Sequence, residues 1–351
     1  MVKFNKRKLD NGTYEACSVF DVDGDGVKDI VCGAYWYKGP SFTEKYKMCD
    51  VLAEGEYFDD FSDYPLDVNG DGKLDIITGG WWGMKVRWRE NNGKNLWEVH
   101  ELEHCGCIET IRYYDIDGCG TVEVFPNTPG EKQFFLKLDK DSDGKGKGTF
   151  TKFIIGENPS GHGMGIGDID GDGKAEVLLS NGYLKQNSDV YGIWSFVPAY
   201  NCGCMASVPM LVFDVNGDGL NDIIYGNGHG YGLFWLEQKA DGSFEKHIID
   251  MAAAQYHDLW LVDIDNDGKL ELTTGKRYRA HCGNDLGDND ACGLYYYTIN
   301  NGVFVRNVID FGNAGEGSGI GIYMWIDDIN NNGKLDIVAP GKDGLYLFTQ
   351  E

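Results

Sequence analysis

The sequence predicts an all-β chain, a closed seven-bladed β-propeller, and three observations predict it. A nine-residue acidic pattern recurs seven times along the 351 residues. Short β-rich runs follow each copy, and no long Gly-free stretch carries helical periodicity. The chain also holds 50 Gly against 8 Pro, the composition of many tight turns and few extended linkers.

The repeats open at Asp21, Asp67, Asp115, Asp168, Asp214, Asp263 and Asp328 and read DVDGDGVKD, DVNGDGKLD, DIDGCGTVE, DIDGDGKAE, DVNGDGLND, DIDNDGKLE and DINNNGKLD. Their spacings of 46, 48, 53, 46, 49 and 65 residues give a unit of about 50 residues, the size of a four-stranded blade. A short apolar stretch precedes each copy, and runs such as IVCGAYWY or IITGGWW follow it. The last piece recurs as FTKFIIG, FEKHIID and FVRNVID, a period-two alternation that suits an outer strand. The N-terminal VKFNKRKLD resembles these outer strands, whereas the C-terminal GLYLFTQE ends one strand short. Residues 2–9 are therefore expected to complete the seventh blade, making residues 1–351 one domain without an unpaired edge. The longest spacing contains RYRAHCGNDLGDNDACG, read as a loop inserted on one face.

Composition narrows the function. At 42% hydrophobic residues the chain can bury a large core. Its 56 acidic against 31 basic residues, a net charge of −25, argue against nucleic acid and anionic membranes as partners. Neither an apolar span of about 18 residues nor a secretory leader is seen, so the ten Cys are expected reduced and the chain cytoplasmic as it stands.

In the nonamers, oxygen-bearing side chains stand at positions one, three, five and nine, save for Cys119 at position five of the third, with Gly at position six in every copy. Alternate spacing turns them toward one point, and the Gly allows the sharp turn that a hard cation with many oxygen ligands requires. Ca²⁺ is the expected ion. Its ligands would be Asp21, Asp23, Asp25 and Asp29; Asp67, Asn69, Asp71 and Asp75; Asp168, Asp170, Asp172 and Glu176; Asp214, Asn216, Asp218 and Asp222; and Asp263, Asp265, Asp267 and Glu271. The first, fourth and sixth loops carry four carboxylates and are the strongest sites; Cys119 in the third and Asn330 and Asn332 in the seventh weaken those two. These loops are expected to staple hairpins and to do no chemistry.

Chemistry is expected at the opposite mouth. If the nonamer joins a blade's first and second strands, the residues six before each opening Asp begin the innermost strands: Glu15, Phe61, Glu109, His162, Val208, His257 and Ile322. Two carboxylates and two His would thus converge on the axis, as possible ligands of a transition metal such as Zn²⁺ or Mn²⁺ (Glu15, Glu109, His162, His257), or as acid and base. The second strand ends on the same face and brings Trp36, Trp81, Trp82, Asn127, Tyr183, Asn227, His229, Lys276, Arg277, Tyr278 and Lys342, an aromatic and polar mouth suited to sugars. In this reading His162, His257, His229, Arg277 and Tyr278 are catalytic, and Trp36, Trp81, Trp82, Tyr183, Asn227 and Lys276 bind substrate. The paired Cys of HCGC (Cys105, Cys107) and NCGC (Cys202, Cys204) read more as buried residues than as a zinc site.

The nonamers and their flanking strands resemble FG-GAP or VCBS repeats. The segment GHGMGIGDIDGDGKAEVLLSNGYLKQ is similar to the propeller domain of aldos-2-ulose dehydratases. The resemblance implies metal-assisted elimination of water from a keto sugar such as 1,5-anhydrofructose, with His162 at the site. Similar propellers include lyases that β-eliminate uronate-containing glycans, and lectins that bind sugar without catalysis. A carbohydrate lyase or dehydratase is the expected function, and a calcium-dependent, lectin-like propeller the alternative. The resemblance leaves the Cys-rich loops unexplained.

Overall fold

The computed structural model describes residues 2–351. Seven four-stranded antiparallel sheets and one two-stranded hairpin account for nearly all the regular structure. In blade one the innermost strand Cys17–Phe20 runs into the first acidic loop, and Asp29–Cys32, Tyr35–Lys38 and Glu44–Lys47 follow outward. The other blades repeat this order, and innermost strands of neighbouring blades touch side by side, as at Ala16 and Tyr323 or Gly165 and Met210.

The ring closes on the N-terminal strand. Phe4–Asp10 pairs antiparallel with Leu345–Gln350 and becomes the outer strand of blade seven, so first and last segments share one sheet. The alternation predicted for residues 2–9 thus has its partner.

Cohesion between blades is apolar. Seven clusters of buried side chains each span two neighbours: Ile30 and Val19 of blade one pack with Val338 and Leu347 of blade seven, and Val31 and Trp36 with Ile76 of blade two. Each fully buried aliphatic side chain contributes about 1.5–3 kcal/mol.

The acidic loops are built alike. In every copy the position-one carboxylate accepts the N–H of the position-six Gly, and the position-nine carboxylate accepts the N–H of position two. The position-six Gly lies at φ from 80° to 90°, a region that a Cβ makes costly. Each loop is therefore a pinned turn through its own hydrogen bonds. The additional acidic run from Asp139 is the tip of the hairpin between Lys132–Lys140 and Gly146–Pro159.

Deleting residues 2–10 leaves Leu345–Gln350 as an exposed edge. The expected outcome is a lower thermal midpoint with self-association in light scattering; an unchanged midpoint in a monodisperse sample would show that the ring closes without this strand.

Candidate functional site

The three polar side chains at ring positions of blades three, four and six meet on the axis. Glu109 Oε1 lies 2.9 Å from His257 Nε2 and 3.2 Å from His162 Nε2. His229, from the turn after the second strand of blade five, places its Nε2 2.9 Å from His162 Nε2. One atom from each of the four residues falls within 4.8 Å of all the others.

Local sequence explains how His162 is held. In the run GHGMGIG, a Cβ on Gly163, Gly165 or Gly167 would come within 2.8 Å of Ala206, 2.1 Å of Met210 or 2.7 Å of Val212. Only glycine lets blade four approach blade five this closely. The approach puts the Ala206 carbonyl 2.7 Å from His162 Nδ1. Asn127 donates to the Gly161 carbonyl at 3.0 Å, and Asn227 accepts the His229 N–H at 3.2 Å, so both amides shape the backbone around the histidines.

The tautomers follow from these partners. A carbonyl only accepts, so His162 Nδ1 carries the proton. Asp285, held below the usual range because His229 and His281 outweigh its burial, accepts from His229 Nδ1 at 2.7 Å. Burial, with His162 adding to it, drives His229 down to about 4, so the ring is neutral near pH 7. His229 Nε2 therefore presents a lone pair to His162 Nε2, which also lies 3.2 Å from Glu109 Oε1, a contact that a shared proton or a bound cation would satisfy. Burial would raise Glu109, but His162 and His257 outweigh it and keep the carboxylate ionised. Burial holds His257 at about 3. Three imidazoles and one carboxylate, two of the rings oriented by an outer acceptor, form a donor set that fits a transition metal such as Zn²⁺.

A second charged centre sits beside the first. Glu15 accepts from Arg277 Nε at 2.9 Å and from Lys342 Nζ at 2.8 Å. Burial would raise its pKa, but the two cations hold it at about 2. Both oxygens are committed, so Glu15 is drawn to the cations and away from the metal-ligand set in which the sequence placed it. Arg277 Nη1 remains 3.9 Å from Glu109 Oε1 and links the two centres.

Above the cluster opens a cavity lined by Tyr57, Phe61, Trp81, Trp82, Glu109, Arg277 and His281. The rings of Tyr57, Phe61 and Trp82 pack with centroids 5.2–6.0 Å apart. Lys342 Nζ lies 3.6 Å from the Tyr57 centroid. Tyr57 belongs to the hairpin Ala53–Glu54 and Tyr57–Phe58, and the inserted loop closes the same side: Arg279 Nε donates to Glu56 at 2.9 Å and the His281 N–H to the Tyr57 hydroxyl. Arg279, His281 and Cys282 all have positive φ. This turn brings His281, stacked on His229 with centroids 4.3 Å apart, to 2.9 Å from Asp285 Oδ1.

Several residues assigned to the mouth from sequence lie elsewhere. Trp36 is buried between blades one and two, stacked on Tyr46, because the pleat turns it away from the axis. Tyr183 packs between blades four and five. Lys276 is fully buried and donates to the Asp288 carbonyl at 3.0 Å, supporting the inserted loop from below. Tyr278 is half-buried and does not line the cavity. All ten Cys are free; Cys105 and Cys202 are buried among apolar side chains. Tyr57, His281 and Asp285 were not singled out from sequence, since they lie on insertions outside the repeat register.

Two expectations follow. Asp285→Asn weakens the acceptor that orients His229, and transition-metal affinity, read by competition with a chromogenic chelator, should fall roughly 10–100-fold; unchanged affinity would remove Asp285 from the site's support. Glu15→Gln leaves two buried cations unpaired and should cost about 3–5 kcal/mol in denaturant unfolding. Because Glu15 is depressed from the ordinary glutamate value of 4.5 to about 2, its contribution is complete above pH 4.5 and disappears as pH falls toward 2; Glu15→Gln should show a flatter acid limb.

Comparison with known proteins agrees with this architecture. The FG-GAP-like repeat family matches residues 214–273, from the fifth acidic loop into blade six. No curated protein matches the chain in sequence. Among solved structures, an Agrocybe aegerita lectin that recognises non-reducing terminal N-acetylglucosamine superposes with a TM-score of 0.52 at 18% identity, over 85% of this chain and 80% of the lectin. The rhamnogalacturonan lyase YesW gives 0.50 at 14% identity, over 98% and 72%. A Bacteroides thetaiotaomicron protein assigned as a phosphatase gives 0.53 at 9%, over 100% and 79%. At these identities the likeness concerns fold. The chain is a seven-bladed β-propeller that carries an FG-GAP-like repeat across its fifth and sixth blades.

Proposed function

We propose that the chain is a carbohydrate-active lyase or dehydratase, acting by elimination beside a carbonyl or carboxylate on a keto sugar or uronate-containing glycan held in the axial cavity. The observation that carries this reading is the juxtaposition of the Glu109, His162, His229 and His257 cluster with one aromatic-walled cavity and one half-exposed histidine, His281. Propellers of this shape include both a polysaccharide lyase and a sugar-binding lectin, which supports a carbohydrate as ligand.

The rings of Trp81, Trp82 and Tyr57 offer apolar faces to the C–H face of a sugar. Arg277, anchored by Glu15, presents Nη1 to a carboxylate or developing enolate. His281, its Nδ1 bonded to Asp285, holds Nε2 as the base for the α-proton. As the C–H bond breaks, its electrons form the C=C bond and the β C–O bond breaks. The proton taken by His281 then passes to the departing oxygen, leaving the ring neutral. Zn²⁺ or Mn²⁺ held by Glu109, His162, His229 and His257 would supply Lewis acidity at the carbonyl oxygen.

A lectin-like propeller would use the same aromatic wall but has no need of an Asp-paired histidine beside a buried imidazole cluster. Turnover of keto sugars and uronate glycans, followed by ultraviolet absorbance of the conjugated product, separates the two. His281→Ala should lower turnover by about 10²–10⁴ with glycan binding retained, and His162→Ala should abolish it with the fold intact by circular dichroism. Glycan binding by the wild type with no elimination product from either substrate class would establish the lectin reading instead.

A further inference from the structure

The acidic loops, alike in sequence, differ in what faces them from the third strand of each blade. Sheet register places one residue opposite position nine of every loop: Lys38, Glu90, Lys137, Lys185, Glu237, Thr298 and Thr349 in blades one to seven. In blades one to five the choice follows position three. Where position three is Asp23, Asp117 or Asp170 in blades one, three and four, the facing residue is Lys; where it is Asn69 or Asn216 in blades two and five, it is Glu.

Contacts match the pairing. Lys38 Nζ reaches into loop one, close against Asp23 and 2.8 Å from Asp25. Lys185 does the same in loop four, against Asp170 and 3.0 Å from Asp172. Lys137 lies against Asp117 and 2.9 Å from Glu123 in loop three. In blades two and five the third strand sends in no ammonium, and only Lys73 of loop two itself comes near, 3.9 Å from Asp71: the amide of Asn69 donates to Glu90, and that of Asn216 to Glu237, each at 3.1 Å. Loop six keeps four carboxylates and faces an uncharged Thr298.

We propose that Lys38, Lys137 and Lys185 stand in for the calcium ion in loops one, three and four, so that a divalent cation is confined to the remaining loops. An ammonium that donates to the carboxylates at positions three and five or nine uses the oxygens a Ca²⁺ ion would take, and two cations at contact distance repel. The carboxylate count alone ranked loops one and four with loop six; the facing residue separates them. Three hinges between first and second strands are then pinned without metal. This assignment is independent of the axial site.

Calcium bound per chain, measured by equilibrium dialysis at buffered free Ca²⁺ with elemental analysis, tests it. The wild type should bind at most four ions from the seven loops. Lys38→Met and Lys185→Met should each bind one more than the wild type, and the double variant two more, whereas Lys152→Met, which faces no acidic loop, should match the wild type. Five or more ions in the wild type, or unchanged counts in both folded variants, would overturn the proposal. Should the variants fail to fold, hydrogen exchange of the wild type with and without chelator decides: protection of residues 21–29, 115–123 and 168–176 should be unaffected, and its loss on chelation would overturn the assignment.

Discussion

Two imidazole nitrogens 2.9 Å apart, each turned inward by an acceptor on the far side of its ring, set the terms for the centre of this propeller. That arrangement is imposed from outside. The Ala206 carbonyl fixes His162 and Asp285 fixes His229, and each acceptor is held by a different part of the fold. The first depends on three glycines that let blades four and five meet at backbone distance. The second depends on an inserted loop anchored to Glu56 and Tyr57 across the mouth. A polar cluster so constrained cannot relax by rotating its rings, and it is preorganised for a proton or a cation.

The same economy governs charge elsewhere. A net charge of −25 is distributed as local problems, each with a local answer. Glu15 is buried with Arg277 and Lys342, and Asp258 on blade six meets Arg112 on blade three at 2.8 Å. Buried carboxylates are tolerable only when paired. The charged neighbours of the site are thus already satisfied, and Glu109, which lines the cavity, links it to the histidines beneath.

Repetition made most of the fold legible. Seven nonamers in phase establish blade number, strand order and the face on which the acidic loops stand, and counting six residues back located Glu109, His162 and His257 within one cluster. Counting could not distinguish residues by the direction of the pleat. Trp36 and Tyr183 follow the second strand as Trp81 and Trp82 do, yet pack between blades. Nor could it separate Glu15 from Glu109, which occupy equivalent positions: the first is claimed by two cations whose side chains arrive from blades six and seven. Tyr57, His281 and Asp285 sit outside the repeat, where no periodicity assigns a direction.

Sequence by itself determined what is local and periodic: the turn chemistry of the loops, the alternation of strands, the glycine run that announces close packing, and the ring these add up to. Each follows from interactions within a few residues of chain. Tertiary structure decided which equivalent positions are chemically equivalent in fact. Whether a carboxylate faces an imidazole, a guanidinium or a lysine depends on side chains contributed from strands and loops far apart in the chain, and only closure of the ring brings them within hydrogen-bond distance.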